Sequence, residues 1–168
     1  MGTHFTCHLL GLALRVEEKA DIGKCVIAAL FHDVSHFVSE DYRKHGVRSA
    51  EIAKDFLLKE GYTEEFVEDV AYAVKSHVGE FNPKTVEAKI LQDADTLDRF
   101  GYFRILLRGK TTELLNLEKL KEKVQSFLEY LSKVDRGDLG QMWTKTGERK
   151  LKELINVNET FSRECLRS

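Results

Sequence analysis

The stretch that decides the fold is Leu30-Phe31-His32-Asp33-Val34-Ser35-His36 (LFHDVSH), in which two good metal ligands directly follow an apolar run. Residues 26–31 (VIAALF) have the character of a buried helix, so they carry His32 and Asp33 toward the interior. A carboxylate buried beside an imidazole is unfavourable unless a hydrogen bond, an ion pair or a cation compensates for the lost hydration. The sequence therefore poses one question: which of these three partners does the pair have?

The composition describes an ordinary globular chain of 168 residues, with 42% hydrophobic and 32% charged residues. We expect one domain over 1–168, with a core at 4–108 and C-terminal helices at 113–165. The sequence has no apolar run of membrane-spanning length and no signal-peptide pattern. Its three cysteines show no CxxC spacing. We therefore expect a cytoplasmic protein. A formal net charge of −2 argues against broad nucleic-acid binding.

A single proline and many apolar residues at helical spacing predict an all-α protein. The predicted helices lie near 4–19, 22–33, 44–60, 63–78, 83–107, 113–134 and 143–165. Two starts have a chemical basis, because Thr63 can cap one helix and Asn82-Pro83 is a typical opening of the next. Gly61 and Gly109 are the predicted helix stops.

Polar residues continue the apolar stripes of four helices, on the side that should face the core: His8, His45, His77 and Asp95. The His32-Asp33 pair ends a fifth helix. Each residue alone has an ordinary explanation as a hydrogen-bonded core histidine or a capping aspartate. Together they form a thiolate-free donor set that suits Mn, Fe, Co, Ni or Zn. A metal ion is therefore the better answer to the question raised by the His32-Asp33 pair.

The chain order of these residues, H…HD…D, resembles that of the HD-domain superfamily of metal-dependent phosphohydrolases. The end of the family's HD helix is similar to AALFHDV (28–34), and the helix that carries its final aspartate is similar to KILQDADTLDRFG (89–101). Its C-terminal helix is similar to TKTGERKLKEL (144–154). The resemblance covers 4–108 firmly and the remainder loosely, and small single-domain members that hydrolyse nucleotides are the most similar. It implies a single HD-type domain of roughly six to eight helices around a metal site.

The resemblance implies that His8, His32, Asp33 and Asp95 hold one metal ion. Asp95 occupies the aspartate of the family's A-D-x-L pattern, here residues 94–97. His4 lies one helical turn before His8 and is the alternative first ligand.

His45 and His77 resemble the additional histidines of members that hold two ions, with Asp33 bridging the pair. The alternative role for His77 is to support a ligand or to contact the substrate. The implied cofactor is thus one or two divalent ions of Mn, Fe, Co, Ni, Zn or Mg.

The chain departs from the family at several positions. Ser35, which is followed by His36, stands two residues after Asp33 where many members have glycine, and Thr96 stands where many have arginine. The residues after His77 lack the glycine-tyrosine-proline signature of cyclic dinucleotide phosphodiesterases. Glu40-Asp41 lies too far from the HD pair to match the Glu-Asp pair of guanosine tetraphosphate hydrolases. These departures disfavour both specialised activities.

The implied chemistry is hydrolysis by a metal-activated water, with Asp33 as a ligand and Asp98 or Glu80 as the nearby acid or base. Three cations near the candidate ligands are the predicted phosphate contacts: Arg48, Lys75 and Arg99. The predicted partner is a small phosphorylated molecule, a nucleotide above all. The helix over 114–131 is expected to serve packing or a homodimer surface.

Two other functional classes stay open. A degenerate domain that only binds or senses a nucleotide would have lost a ligand, whereas all four core positions are filled here. A di-iron oxygenase of the same helical architecture is the other alternative. The sequence leaves open whether orthophosphate or pyrophosphate is released, because both reactions use the same water and metal.

Overall fold

The computed structural model describes residues 18–37, 44–78, 81–99, 116–133 and 142–167. These ranges contain six α-helices and one short 3₁₀ helix and no β-strand, which confirms the all-α prediction. In chain order the elements are α1 (Ile22–Phe31), the 3₁₀ helix (Val34–Phe37), α2 (His45–Lys59), α3 (Glu64–Ser76), α4 (Val86–Arg99), α5 (Leu117–Lys133) and α6 (Lys145–Arg167). The 3₁₀ helix was not predicted.

The junction between α2 and α3 follows the local signals in the sequence. Thr63 caps α3, because its hydroxyl accepts a hydrogen bond from the backbone N–H of Phe66 at 3.4 Å. Gly61 has a φ of +82°, and Tyr62 donates its backbone N–H to the carbonyl of Leu57 at 3.1 Å. A left-handed glycine closed by such a bond is a common helix end. Both predicted boundaries are confirmed.

The fourth helix begins three residues after Pro83, so the start predicted at Asn82-Pro83 is wrong. Thr85 is the cap instead, and its hydroxyl accepts a hydrogen bond from a backbone N–H of the first turn at 3.2 Å. The preceding residue, Lys84, donates its backbone N–H to the hydroxyl of Tyr72 on α3 at 3.0 Å. That tertiary bond holds the segment before the helix against α3, which a local proline signal does not reveal.

The chain forms two compact units, Met1–Asp95 and Thr96–Ser168. In the first unit, α2 packs on α3, α1 packs on both, and the 3₁₀ helix packs on α2. The interface is lined mainly by small or branched residues that are fully buried, among them Ala28, Ala53, Val70 and Val74. Such side chains let helix backbones approach closely. The end of α1 and the start of α2 therefore lie near the end of α3.

In the second unit, α5 packs against α6. Both helices have side-chain caps: Asn116 accepts from the backbone N–H of Lys119 at 3.1 Å, and Thr144 accepts from that of Gly147 at 2.9 Å. None of the described helices has the length and apolar character needed to cross a membrane. Residues 1–17, which hold most of the predicted first helix, and the predicted stop at Gly109 lie outside the described residues.

Candidate metal centre

Three helix ends deliver the predicted histidines to one place. His32 is the first residue beyond α1, His45 is the first residue of α2, and His77 is the first residue beyond α3. Asp33 follows His32 directly, in the turn that leads into the 3₁₀ helix. The packing of α1, α2 and α3 thus assembles residues that are up to 45 positions apart in the sequence.

The carboxylate of Asp33 is the centre of this cluster. Its Oδ1 atom lies 3.3 Å from Nε2 of His36, 3.6 Å from Nε2 of His77 and 3.7 Å from Nε2 of His45, while Oδ2 lies 3.4 Å from Nε2 of His32. Two ligands each about 2.1 Å from one ion are about 3.0–3.6 Å apart when the angle between them is about 90–120°. The observed separations therefore resemble those of ligands around a cation more than a charge-assisted hydrogen bond of about 2.7–2.9 Å.

The most compact part of the cluster consists of Asp33, His45 and His77. One ligand atom from each residue can be chosen so that all three lie within 4.8 Å of one another. The Nε2 atoms of His45 and His77 are only 3.1 Å apart. A single ion can be reached by these three side chains without a large rearrangement.

Backbone carbonyls fix the tautomers of the two most buried imidazoles. Nδ1 of His32 lies 2.7 Å from the carbonyl oxygen of Ala29, and Nδ1 of His77 lies 2.6 Å from that of Val74. A carbonyl can only accept, so each Nδ1 carries the proton and donates it. The neutral ring then presents its Nε2 lone pair to Asp33, as in many metal sites where a histidine is oriented through its other nitrogen.

This donor set fits a divalent cation. Lone pairs of neutral imidazoles that face a carboxylate, or face each other at 3.1 Å, need a proton or a cation between them. An oxygen donor and several imidazole nitrogens without thiolates suit Mn, Fe, Co, Ni or Zn. The chemistry of the residues present therefore agrees with the metal expected from the sequence.

The imidazoles also stabilise the ionised form of Asp33. Burial acts to raise the pKa of this carboxyl, but when the imidazoles carry protons in place of a cation, a hydrogen bond from His77 and the charges of His32 and His36 outweigh it. The pKa of Asp33 is therefore held well below its ordinary range. An ionised carboxylate at neutral pH is the form that binds a metal.

His32 is buried, and burial lowers its pKa from the ordinary value of 6.5. The charge of Asp33 acts in the opposite direction, and so does the more weakly felt charge of Asp95, the predicted last ligand. Asp95 is half-buried on α4. The role of Asp95 as a ligand stays a prediction, and His8, the predicted first ligand, lies outside the described residues.

The lowered pKa predicts acid sensitivity of the metal-free protein. Above pH 6.5 His32 is neutral in both the folded and the unfolded chain, and below this value the unfolded chain binds the proton more readily. The free energy of unfolding should therefore fall as the pH drops from about 7 to about 5, a window above the ordinary range of carboxyl groups. Urea unfolding with a chelator present measures this slope. A His32→Asn variant with an equally steep slope would contradict the assignment.

Gly46 permits the close approach of α2 to the end of α3. A Cβ atom at this buried position would lie 2.5 Å from Cγ2 of Val78, 3.0 Å from the carbonyl oxygen of Lys75 and 3.6 Å from Cε1 of His77. The first of these distances is far below van der Waals contact, so Val78, the start of α2 or both must shift to accept any side chain. The glycine therefore sets the short distance between His45 and His77.

His36 belongs to the cluster although the sequence did not identify it as a site residue. It directly follows Ser35, the position at which many related proteins have glycine. In a 3₁₀ turn, residues three apart lie on the same side, so the spacing from Asp33 to His36 is the signal that could have revealed it. The backbone N–H of His36 donates to the carbonyl of Asp33 at 3.0 Å, which shows this turn.

The other predicted site residues have varied environments. Asp98 is buried, with 6% of its surface exposed, and Arg99 is the last residue of α4. Arg48 is half-buried on α2, three residues after His45, whereas the Lys75 side chain is exposed on α3. Glu80 lies outside the described residues. The structure thus gathers His32, Asp33, His45 and His77, and the catalytic and phosphate-binding roles of the remaining residues stay predictions.

Comparison with known proteins shows the family of this chain. The profile of the HD domain family matches residues 3–99, more than half of the chain. This chain belongs to the HD-domain family. A predicted HD superfamily hydrolase from an uncultured Thermotogales bacterium has a similar structure, with a TM-score of 0.69 and 26% identity over 99% of this chain and 79% of that one. An HD-superfamily hydrolase from Bacillus thuringiensis has a TM-score of 0.61 at 19% identity, over 96% of this chain and 81% of that one, and supports the fold alone.

Ribonuclease Y proteins are similar in sequence to this HD-domain chain. The protein from Syntrophomonas wolfei subsp. wolfei is 34% identical over 131 residues, which are 77% of this chain and 22% of that protein. The protein from Desulforamulus reducens is 31% identical over 116 residues, which are 68% of this chain and 21% of that protein. The HD-domain chain spans only about a fifth of the length of these relatives.

Proposed function

We propose that this protein is a metal-dependent phosphohydrolase acting on a nucleotide or a related phosphate ester or anhydride through a metal-activated water. The observation that carries the proposal is the Asp33 carboxylate, whose two oxygens face four imidazole Nε2 atoms at 3.3–3.7 Å. Two further observations support a hydrolase function: the chain belongs to a family that includes hydrolases, and Asp33 is ionised.

The proposed ligands follow the two groups of the family pattern. His8, His32, Asp33 and Asp95 would hold one ion, and the compact trio of Asp33, His45 and His77 would hold a second, with Asp33 shared between them. When bound, such an ion lowers the pKa of a coordinated water toward neutrality and offsets charge on a phosphoryl oxygen.

The chain's own residues supply orientation and charge in this proposal. The backbone carbonyls of Ala29 and Val74 keep the Nε2 atoms of His32 and His77 aimed at Asp33, so the centre is formed before the substrate arrives. Asp98 or Glu80 would take up or return a proton. The phosphate contacts would come from the three predicted cations, Arg48, Lys75 and Arg99.

A second candidate is hydrolysis of phosphodiester bonds in RNA. It is favoured by the 31–34% identity to ribonuclease Y proteins. The formal net charge of −2 favours the smaller substrate, since binding of long nucleic acids depends on a positive field. A nucleotide is therefore the first choice and a short RNA the second.

A substrate screen tests the function directly. Protein loaded with Mn, Co, Ni or Mg is incubated with nucleoside mono-, di- and triphosphates and with a short RNA, and the release of orthophosphate, pyrophosphate and mononucleotides is measured. We expect turnover with at least one ion, loss of turnover with a chelator, and recovery when the ion is returned. Absence of turnover on every substrate, in protein shown by elemental analysis to contain metal, would refute the proposal.

A further inference from the structure

A short helix holds His36 firmly beside the metal centre. Ser35, which is buried, donates its backbone N–H to the hydroxyl of Ser49 at 3.1 Å, and its own hydroxyl donates to the carbonyl of His45 at 3.1 Å. These two bonds attach the 3₁₀ helix to the start of α2. The neighbouring His36 is therefore positioned by the fold and does not depend on a flexible loop.

The imidazole of His36 contacts both the carboxylate and a candidate ligand. Its Nε2 lies 3.3 Å from Oδ1 of Asp33, the shortest of the four imidazole distances to that carboxylate. Its ring stacks on that of His45, with centroids 4.8 Å apart and an angle of 24° between the planes. These contacts fix where the ring stands relative to the centre.

The four imidazoles around Asp33 differ in exposure. The side chain of His36 is 23% exposed and that of His45 is 15% exposed, whereas those of His32 and His77 are 2% exposed. His36 is therefore the most exposed of the four imidazoles, beside a carboxylate that is itself 27% exposed. A substrate that approaches the centre from solvent meets this imidazole before the buried ones.

Not every imidazole beside Asp33 belongs to the most compact ligand group, and His32 lies outside it as well as His36. Among the described residues, the group whose ligand atoms all lie within 4.8 Å of one another contains Asp33, His45 and His77 but not His36. His36 therefore lies beside the centre but is not part of its most compact ligand group.

We infer that His36 is a substrate-contacting residue, whose imidazole N–H donates a hydrogen bond to a phosphoryl oxygen held at the metal centre. This inference deepens the proposed function and rests on it. Phosphoryl oxygens only accept hydrogen bonds, and a neutral imidazole always retains one N–H donor. The rigid attachment through Ser35 presents that donor beside Asp33. The ligand class is a phosphoryl group, free or as part of an ester or anhydride.

The test compares His36→Ala, His36→Gln and Phe37→Ala in the full Mn-loaded chain. Phe37 is the matched control, because it lies on the same 3₁₀ helix and is 76% exposed.

Three quantities are measured: Mn per chain, the Kd of inorganic phosphate by calorimetry, and kcat/KM on the substrate found by the screen. We expect His36→Ala to keep its Mn, to weaken phosphate binding about 10-fold or more and to lower kcat/KM similarly, because a hydrogen bond to a charged group is lost. His36→Gln, which keeps an N–H donor, should recover part of both, and Phe37→Ala should match the wild type.

Loss of Mn in His36→Ala would overturn the inference, since His36 would then be a ligand. Unchanged phosphate affinity in His36→Ala, or an equal loss in Phe37→Ala, would also overturn it. The proposed function fails in a different way: wild-type protein that contains Mn and binds phosphate yet hydrolyses nothing. In that case the phosphate affinities of the three variants still decide whether His36 contacts the phosphoryl group.

Discussion

Asp33→Asn is expected to remove both metal binding and hydrolysis. The amide keeps the size of the side chain but loses the charge that faces four imidazoles at 3.3–3.7 Å. The proposed ligands of both ions share this residue, so neither set survives the change. We expect activity to fall by at least about 10²-fold, the usual cost of removing one preorganised electrostatic contact, and metal affinity to fall by a larger factor than for a supporting residue.

Two measurements check this prediction. Elemental analysis gives the ion content after purification, and thermal unfolding with and without Mn gives the stabilisation by the ion. A ligand that binds only the folded state at about 100 times its Kd stabilises that state by about 2.7 kcal/mol, so the wild-type midpoint should rise with Mn and that of the variant should not. Asp55→Asn is the matched control, because this aspartate is exposed on α2. An Asp33→Asn protein with wild-type metal content would contradict the proposed centre.

The second large effect is expected from Gly46→Ala. The new methyl group would lie 2.5 Å from Cγ2 of Val78 and 3.0 Å from the carbonyl oxygen of Lys75, so we expect the start of α2 to move away from the end of α3. That movement separates His45 from His77, whose Nε2 atoms are now 3.1 Å apart. We expect a loss of about 1–3 kcal/mol in the free energy of unfolding, as for other overpacked positions. Affinity for the second ion should fall by about 10–100-fold.

A double variant distinguishes spacing from a general loss of stability. Val78→Ala removes the atom that Gly46→Ala would strike, so the pair should recover part of the metal affinity that the single variant loses. Gly61→Ala is the control for stability, because its φ of +82° strains a side chain although no atom lies within 4 Å of the new Cβ. It should destabilise the protein by about 1 kcal/mol and leave metal affinity unchanged. Equal metal affinities in all of these variants would contradict the role assigned to Gly46.

The sequence was most informative where one local interaction dominates. Apolar spacing predicted the helices, and Thr63 and Gly61 predicted the junction of α2 with α3, because a cap and a left-handed glycine act over a few residues. Pro83 was misleading because a distant partner, the hydroxyl of Tyr72, binds the segment before α4. Such a tertiary hydrogen bond leaves no periodic trace in the sequence.

At the candidate centre, too, local signals were predictable and contacts between helices were not. His45 and His77 were predicted from their places on apolar helix faces, and the structure brings both to Asp33. His36 was not predicted, because helix periodicity of 3.6 residues does not describe a 3₁₀ turn. The spacing role of Gly46 was also hidden, since it depends on atoms of α3 that are about 30 residues away in sequence. Residue types could be predicted, but distances between helices required coordinates.

Main-chain support of His32 and His77 has an evolutionary consequence. Each ring is oriented by a carbonyl three residues earlier in its own helix, at Ala29 or Val74. No point mutation deletes a carbonyl, so this hydrogen bond does not depend on which side chain stands at residue 29 or 74. Related proteins can therefore exchange the residues around the centre, and so change their substrates, while they keep the two histidines in the same orientation.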